Sequence, residues 1–367
     1  MFIVRNFALV LMAAALCVFT GCGDSSSSSS GGSSSSTGGS SATPVASGPV
    51  KLVGAGASFP APLYEQWFKD YSAKHPNITI DYQSVGSGSG IKQFIEGTTD
   101  FGASDAAMKP EEIDKVEGGV YLLPMTAGAV VLAYNVPGVT ELKLPQDVYV
   151  DMFLGKITNW NDARIAKANP GVNLPDMKIN IAHRADGSGT TYVFTQHLSA
   201  ISDAWKNGPG TGKKVDWPTG VGAPKNDGVT AAIKQTPGTI GYIEYGYSMH
   251  AGLPVAALQN KSGNFIKPGP ETSAAALASA VLPENLIAWE TNPAGKDAYP
   301  IVSFTWILAH TSYKPETGKV FKDMIEYCLT DGQKISDKLG YIPLPQNVVD
   351  KVRAKVNLIK FSADAAH

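Results

Sequence analysis

Short runs of apolar and β-branched residues alternate along most of the chain with stretches whose apolar residues recur at helical spacing. The strand-like runs cover residues 50–53, 78–83, 101–102, 128–134, 179–183, 239–242 and 301–309. The helix-like stretches cover residues 63–71, 91–96, 146–154, 191–198, 230–235, 318–329, 332–339 and 347–355. Such alternation predicts an α/β fold.

The part of the chain that carries this pattern begins near residue 44 and continues to residue 367. This length exceeds what one hydrophobic core usually organises, so we expect two domains. The full sequence is 43% hydrophobic and 17% charged, which is typical of an ordinary globular protein. Its 30 basic and 32 acidic residues are nearly balanced and give no indication of nucleic-acid binding.

The first residues have the pattern of an export signal. Arg5 provides a positive start, and the apolar run over residues 7–19 is too short to cross a bilayer. The run ends in Phe-Thr-Gly-Cys, which resembles a bacterial lipobox, and an ordinary signal peptide with an incidental cysteine is the alternative. We predict a signal peptide over residues 1–21, lipidation at Cys22 and a Ser/Gly-rich flexible tether over residues 22–48. The protein would then be exported and anchored to a membrane, in the periplasm or at the cell surface.

Cysteine usage gives a simple expectation for the folded part. Two of the three cysteines, Cys17 and Cys22, lie in the signal region, which leaves Cys328 alone. No internal disulfide is then available, and the apolar surroundings of Cys328 predict a small buried hydrophobe rather than a nucleophile.

Four clusters of small and polar residues lie at predicted strand ends or helix starts. They cover residues 54–58, 86–90, 103–105 and 186–190. In open α/β sheets, ligands collect beyond the carboxyl ends of strands, where helix N-termini present unpaired N–H groups. The four clusters therefore predict one anion-binding site.

Two of these clusters have both a structural and a functional interpretation. Ser58 precedes Phe-Pro-Ala-Pro, so its hydroxyl is either the N-cap of a helix or a ligand of the anion. The same two interpretations apply to Ser87 and Ser89. These residues lie among three glycines, which let a backbone approach a ligand closely.

The segment over residues 183–190 combines a guanidinium, a carboxylate, two hydroxyls and two glycines. Arg184 is suited to bind an oxyanion in a forked geometry while Asp186 holds the guanidinium in place. A surface Arg–Asp pair beside a capped helix is the alternative.

Several enzyme patterns are missing from the sequence. It has no G-x-x-x-x-G-K-[ST], G-x-G-x-x-G, G-x-S-x-G or H-E-x-x-H motif. Ser188 has no assignable base, because its nearest histidine, His183, lies in the same loop and no separate acid completes a triad. The six histidines are scattered without metal-ligand spacing. We therefore predict a binding protein, not an enzyme, with no metal or other cofactor.

Six stretches together resemble the phosphate-binding component of the bacterial phosphate-specific ABC transporter. They are Gly-Ala-Gly-Ala-Ser-Phe-Pro-Ala-Pro at 54–62, Gly-Ser-Gly-Ser-Gly at 86–90, Asp-Phe-Gly-Ala-Ser-Asp at 100–105, Leu-Gly-Lys-Ile-Thr-Asn-Trp at 154–160, residues 184–190 and Ile-Gly-Tyr-Ile-Glu-Tyr at 240–245. The resemblance implies a periplasmic-binding-protein fold of type II, with two α/β lobes joined by crossing strands. It places lobe 1 at 49–126 and 301–367 and lobe 2 at 127–300.

The resemblance also implies the ligand, inorganic phosphate, and the residues that bind it. These are the hydroxyl and N–H of Ser58, the Phe59 N–H, Ser87, Asp105, Arg184, Ser188, the Gly189 N–H and Thr190, with Asp186 bracing Arg184. Two positions depart from the family pattern. Ser58 stands where threonine is common, and Gly-Ser-Gly-Ser-Gly replaces Gly-Ser-Ser-Gly-Gly, which keeps Ser87 and changes the setting of Ser89.

Asp105 gives the sharpest functional hypothesis. A carboxylate only accepts hydrogen bonds, and at neutral pH phosphate keeps a proton to donate whereas sulfate does not. We expect a phosphate receptor that delivers its ligand to the permease subunits of an ABC transporter and acts as a monomer. A receptor for another oxyanion, a phosphate-ester hydrolase on a similar fold, and a sensor or adhesin are the alternatives.

Overall fold

The computed structural model describes residues 48–278 and 280–367. Its strands are β1 (Val50–Gly56), β2 (Ile78–Ser84), β3 (Phe101–Ser104), β4 (Val120–Asn135), β5 (Lys143–Leu144), β6 (Asn180–Arg184), β7 (Val221–Ala223), β8 (Thr239–Glu244), β9 (Ala257–Gln259), β10 (Phe265–Ile266), β11 (Val302–His310), β12 (Ser312–Tyr313) and β13 (Lys360–Phe361). Its α-helices are α1 (Ala61–Lys74), α2 (Ser87–Ile95), α3 (Pro110–Ile113), α4 (Gln146–Phe153), α5 (Ala163–Ala168), α6 (Gly189–Ile201), α7 (Asp203–Asn207), α8 (Lys225–Gln235), α9 (Tyr245–Ala251), α10 (Pro270–Leu277), α11 (Pro315–Leu329) and α12 (Gln346–Asn357).

One eight-stranded sheet organises these elements, in the order β2-β1-β3-β11-β4-β8-β6-β7. The strands β1, β2 and β3 are parallel to one another at one side, and β6, β7 and β8 are parallel at the other. Between these two sets, β11 and β4 pair antiparallel to each other and to their outer neighbours. The predicted α/β class is confirmed.

The long strand β4 belongs to both sides of the sheet. Residues 120–129 pair with β11, and residues 130–135 pair with β8. Every position of β4 from Leu122 to Tyr134 is buried, as expected for a strand covered on both faces. The precise lobe limits suggested by the family resemblance stay a prediction.

The register of these strands brings two sets of strand ends together. Ser104, the last residue of β3, is opposite Trp306 of β11, which is opposite Pro124 of β4. Glu244, the last residue of β8, is opposite Val130 of β4. The carboxyl ends of both parallel sets therefore point toward the same short stretch of β4, where ligands of α/β sheets are expected.

The structure confirms most of the predicted elements and corrects four, among them α8, which begins at Lys225 instead of residue 230. Residues 332–339 form two short 3₁₀ helices, Gly332–Ile335 and Asp337–Leu339, instead of one α-helix. β4 begins eight residues before the predicted strand, and α2 begins at Ser87 instead of Ile91. Cys328 is fully buried, as predicted, and burial raises the pKa of its thiol.

The predictions for the N-terminal segment lie largely outside the described residues. The signal peptide over 1–21, the lipidation at Cys22 and the tether up to residue 47 all belong to that part of the chain. Within residues 48–278 and 280–367, every helix is too short or too polar to cross a bilayer.

Candidate anion-binding site

The predicted site residues meet where the strand ends converge. Ser58, Ser87 and Asp105 follow the carboxyl ends of β1, β2 and β3. Arg184 ends β6, and Thr190 lies in the first turn of α6. All five side chains are at least 97% buried. Residues from four separate loops thus form one buried polar cluster.

Ser58 is not the N-cap of α1, contrary to the structural interpretation of its position. The cap is Pro60, and no side chain caps this helix, because α1 begins three residues after Ser58. The Ser58 Oγ instead accepts hydrogen bonds from the backbone N–H of Asn226, at 3.1 Å, and from Asn226 Nδ2, at 2.9 Å. The Ser58 hydroxyl therefore points toward Asn226 of α8 and not toward its own helix, α1.

Ser87 lies at the start of α2, and the glycines of its loop explain this placement. Gly86 has φ +86°, which turns the chain into the helix. A Cβ on Gly90 would lie 2.3 Å from the Gly56 Cα, so only glycine lets the first turn of α2 pack against β1. The Ser87 Oγ accepts from the N–H groups of Gly189 at 3.0 Å and of Asp105 at 3.4 Å.

Asp105 is the central carboxyl group of the cluster. Thr305 Oγ1 of β11 donates to its Oδ1 at 2.9 Å, and Thr190 Oγ1 lies 3.5 Å from its Oδ2. Burial raises the pKa of Asp105 to about 7, although the Thr305 hydrogen bond and the charge of Arg184 act in the opposite direction. Near neutral pH this carboxyl group therefore changes between hydrogen-bond donor and acceptor.

Arg184 and Asp186 form the predicted brace. Arg184 Nε and Nη2 donate to the two carboxylate oxygens of Asp186 at 2.8 and 2.5 Å, and only 1% of the Arg184 side chain is exposed. Burial acts to raise the pKa of Asp186, but its hydrogen bonds with Arg184 and the guanidinium charge outweigh this effect and lower it. The remaining nitrogen, Nη1, donates to Thr190 Oγ1 at 3.3 Å. The surface-pair alternative is wrong for Arg184, since the guanidinium is buried within the cluster.

Ser188 and Gly189 begin helix α6. Ser188 is its N-cap, and its hydroxyl accepts from the Thr191 N–H at 3.0 Å. The Gly189 N–H points at Ser87 from the other side of the cluster. The ring of Phe59 is fully buried and its carbonyl accepts from Tyr341 Oη at 2.8 Å. These contacts fix the backbone at Phe59 and Gly189, two of the three residues whose N–H groups are predicted to bind an anion.

The two sides of the sheet also touch through their loops. The Gly88 N–H donates to the Gly187 carbonyl at 2.8 Å. Lys213 Nζ lies 2.7 Å from Glu112 Oε1 in a largely shielded ion pair. The hydroxyls, N–H groups and guanidinium of the site therefore lie where the two sets of loops are in contact.

Two further residues complete the cluster and were missed by the sequence analysis. Asn226, in the first turn of α8, is fully buried and bonded to Ser58. Thr305 lies within the apolar run of β11, beside a bulge between Thr305 and Trp306. The Lys-Asn-Asp-Gly segment after β7 is the same kind of strand-end loop as the others and could have indicated Asn226, whereas nothing local indicates Thr305.

The cluster is rich in donors but carries little net charge. The positive charge of Arg184 is offset by Asp186, and Asp105 is only partly ionised near neutral pH. Burial also raises the pKa of Glu244 well above its usual value, which disfavours a negative charge there. Among the described residues, no three His, Cys, Asp or Glu side chains are grouped to hold a metal ion. The arrangement is suited to bind a small anion through hydrogen bonds and helix N-termini.

Gly189 offers a direct test of this close packing. A Cβ at this position would lie 2.6 Å from both Asp105 Oδ2 and Ser87 Oγ. We expect Gly189→Ala to weaken anion binding at least tenfold and to destabilise the fold by about 1 to 3 kcal/mol, because the side chains of the site must move apart. Calorimetric titration and urea unfolding measure the two effects.

Gly269→Ala is the matched control, because a Cβ there meets nothing closer than 3.9 Å and its backbone is extended. If Gly189→Ala bound the anion as tightly as this control, the site would not involve the start of α6.

Comparison with known proteins identifies the family. The model of the PBP superfamily domain matches residues 35–331. The chain is 41% identical to the phosphate-binding protein PstS of Pasteurella multocida, covering 83% of this chain and 89% of that protein. It is 42% identical to PstS of Xylella fastidiosa strain Temecula1, covering 83% and 84%. A solved phosphate-binding protein from Stenotrophomonas maltophilia has a TM-score of 0.68 at 20% identity, covering 86% and 97%, and shares the fold. The chain therefore belongs to the PBP superfamily and, within it, to the family of PstS phosphate-binding proteins.

Proposed function

We propose that this protein binds inorganic phosphate at the cluster around Asp105 and delivers it to an ABC transporter for import. The observation that carries the proposal is a buried carboxyl group, Asp105, set among the donors of Ser58, Ser87, Arg184 and Thr190. Membership of the PstS family supports the same ligand and a binding role instead of catalysis.

The donor set explains how such a site binds an anion without net positive charge. Hydrogen bonds to charged groups contribute about 1.5 to 3 kcal/mol each, and a micromolar site needs about −8 kcal/mol. Several such bonds from hydroxyls, N–H groups and one guanidinium supply this after the cost of ordering is subtracted.

Asp105 supplies the discrimination between anions. An ionised carboxylate accepts a hydrogen bond from the proton that phosphate retains, and it repels a fully deprotonated anion such as sulfate. A receptor for sulfate or molybdate is therefore the less favoured alternative. A phosphate-ester hydrolase is also disfavoured, because the Ser188 hydroxyl caps α6 and His183 Nδ1 lies 3.2 Å from the Arg184 carbonyl.

Equilibrium dialysis of the purified protein against labelled phosphate tests the proposal. We expect one phosphate bound per chain with micromolar or tighter affinity, and no release of product from a chromogenic phosphate ester. Absence of saturable phosphate binding would contradict the proposed function, and turnover of the ester would favour the hydrolase.

The proposal extends to where the protein acts. We propose that it is exported and held at a membrane by a lipid on Cys22, with the Ser/Gly-rich segment as tether, and that it works there as a monomer beside the permease subunits. This rests on the lipobox-like end of the signal region.

Cys22→Ser tests the anchor. We expect the variant to leave the membrane fraction and appear in the soluble exported fraction, with phosphate affinity unchanged, because residue 22 is far along the chain from the site. Cys17→Ser is the matched control and should stay in the membrane fraction. Equal partitioning of the Cys22 variant and the wild type would contradict lipidation at this position.

A further inference from the structure

The side chain of Asn226 has three hydrogen-bonding neighbours from three different parts of the fold. Its Nδ2 donates to Ser58 Oγ at 2.9 Å and lies 3.3 Å from Thr190 Oγ1. Its Oδ1 accepts from the Glu244 N–H at 3.0 Å. Asn226 therefore connects Ser58, which follows β1, with Thr190 and Glu244 on the other side of the sheet.

These contacts determine which way two hydroxyls point. A hydroxyl has two acceptor positions and one proton. Ser58 Oγ accepts from both the N–H and the Nδ2 of Asn226, and Thr190 Oγ1 accepts from Asn226 Nδ2 and from Arg184 Nη1. With both acceptor positions in use, each oxygen has only its proton left to offer. Both hydroxyls are thereby set as donors, which is the role an anion requires, and in this structure the Thr190 hydroxyl donates to Asp105 Oδ2 at 3.5 Å.

The backbone before Asn226 is held in an unusual conformation that serves this contact. Lys225 has φ +58°, in the left-handed region that non-glycine residues seldom adopt. Its N–H donates to Asp186 Oδ1 at 3.0 Å, and the next N–H, that of Asn226, then points at Ser58. The brace of Arg184 thus also fixes the start of α8.

We propose that Asn226 is a positioning residue of the phosphate site, which locks the Ser58 and Thr190 hydroxyls as donors toward the bound anion and joins the two sides of the sheet around it. This inference rests on the proposed function. It goes beyond the ligand set implied by the family resemblance, which does not include this residue.

Asn226→Asp and Asn226→Ala test the inference by phosphate titration. The Asn226→Asp variant keeps the shape of the side chain and its hydrogen bond with the Glu244 N–H. A carboxylate oxygen replaces Nδ2, so the Ser58 and Thr190 hydroxyls turn their protons toward this oxygen and away from the anion. We expect about a ten- to hundredfold loss of phosphate affinity in Asn226→Ala at pH 8. For Asn226→Asp we expect a loss at least about tenfold larger still, because the new carboxylate also repels the anion.

The pH dependence separates this role from a merely structural one. Near Asn226 the titratable and charged groups are Asp105, Arg184, Asp186 and Glu244 in the site, with Lys225, Asp227 and Glu65 at its rim. These groups are shared with the wild type, so we compare the ratio of affinities between variant and wild type. That ratio should approach one for Asn226→Asp as the pH is lowered from 8 to 5.5, because the introduced carboxyl group becomes protonated, and should stay constant for Asn226→Ala.

Asn169 is the matched control. It is 5% exposed, accepts one backbone N–H from Lys143 and donates two bonds, to the carbonyls of Lys143 and Ile165. Asn169→Asp and Asn169→Ala should lower thermal stability without changing phosphate affinity.

The possible results separate a failure of the proposed function from a failure of the role proposed for Asn226. A wild type that does not bind phosphate overturns the proposed function together with this inference. If the wild type binds phosphate, two results would overturn the role of Asn226 alone. One is that Asn226→Asp binds phosphate no more weakly than Asn226→Ala at pH 8. The other is that the ratio of phosphate affinities between Asn226→Asp and the wild type does not change with pH.

Discussion

Arg184→Ala is expected to weaken phosphate binding by about 100- to 10,000-fold. The guanidinium is buried, and the substitution removes the one positive charge of the cluster, while Asp186 and Asp105 remain beside the anion. Two lost charge-assisted bonds correspond to about 3 to 6 kcal/mol. The loss should be similar for phosphate and sulfate, because a guanidinium does not distinguish a protonated oxyanion from a deprotonated one.

Titration calorimetry measures this effect, with thermal unfolding to show that the variant is folded. Arg164→Ala is the matched control, because Arg164 also bonds two carboxylates, those of Asp151 and Asp162, but is 43% exposed and lies outside the site. Unchanged phosphate affinity in folded Arg184→Ala would show that the anion binds elsewhere.

Asp105→Asn is expected to reduce the preference for phosphate over sulfate by about 100-fold or more. The amide can donate to an anion without a proton, so the unfavourable contact between two acceptors disappears and sulfate affinity rises. Phosphate loses the acceptor for its own proton, and its affinity falls. Competition of the two anions for the variant at pH 8 measures both changes.

The same substitution should stabilise the ligand-free protein in a pH-dependent way. The pKa of Asp105 is raised to about 7 in the folded protein, above its ordinary value of 3.8. The contribution of Asp105 to the free energy of unfolding is therefore fully present below about pH 4 and is lost as the pH rises through 7. The advantage of Asp105→Asn over the wild type should grow by roughly 2 to 3 kcal/mol between pH 5 and pH 8.

Urea unfolding at the two pH values checks this expectation. Asp100→Asn is the control, because the Asp100 side chain is 19% exposed and accepts from the Val53 N–H away from the site, so its effect should not grow in the same sense. An effect of Asp105→Asn that is the same at pH 5 and pH 8 would show that Asp105 is not held in a desolvated setting.

The fold was predictable from the sequence because its local signals agree with one another. The apolar runs at 50–53, 78–83 and 239–242 became strands, and the helix-like stretch at 318–329 became most of α11. The start of β4 was missed because residues 120–127 include Pro124, which argues against a central strand, and their pairing with β11 depends on residues about 180 positions later.

The main site residues were predictable because each lies in a loop with its own chemical signature. Arg184 ends β6 and Asp186 lies in the loop that follows it, while Asp105 directly follows an apolar strand. Whether these residues bind phosphate stays a prediction, and the geometry supports it by bringing them into one buried cluster.

Contacts between loops that lie far apart in the sequence could not be predicted from local patterns. A serine before Pro-Ala-Pro is a natural N-cap by sequence, and only the approach of Asn226 shows that the Ser58 hydroxyl has another partner. Thr305 lies in a run of apolar residues, and only the pairing of β11 with β3 places it on Asp105.

Buried Asp105 is expected to make the site select an oxyanion that carries a proton. Titrating the wild-type protein with phosphate and with sulfate at pH 8 tests it most directly. We predict that phosphate binds at least about 1,000-fold more tightly, since contact between like charges in a buried site costs several kcal/mol. Sulfate affinity within tenfold of phosphate affinity at this pH would show that Asp105 does not select for the proton.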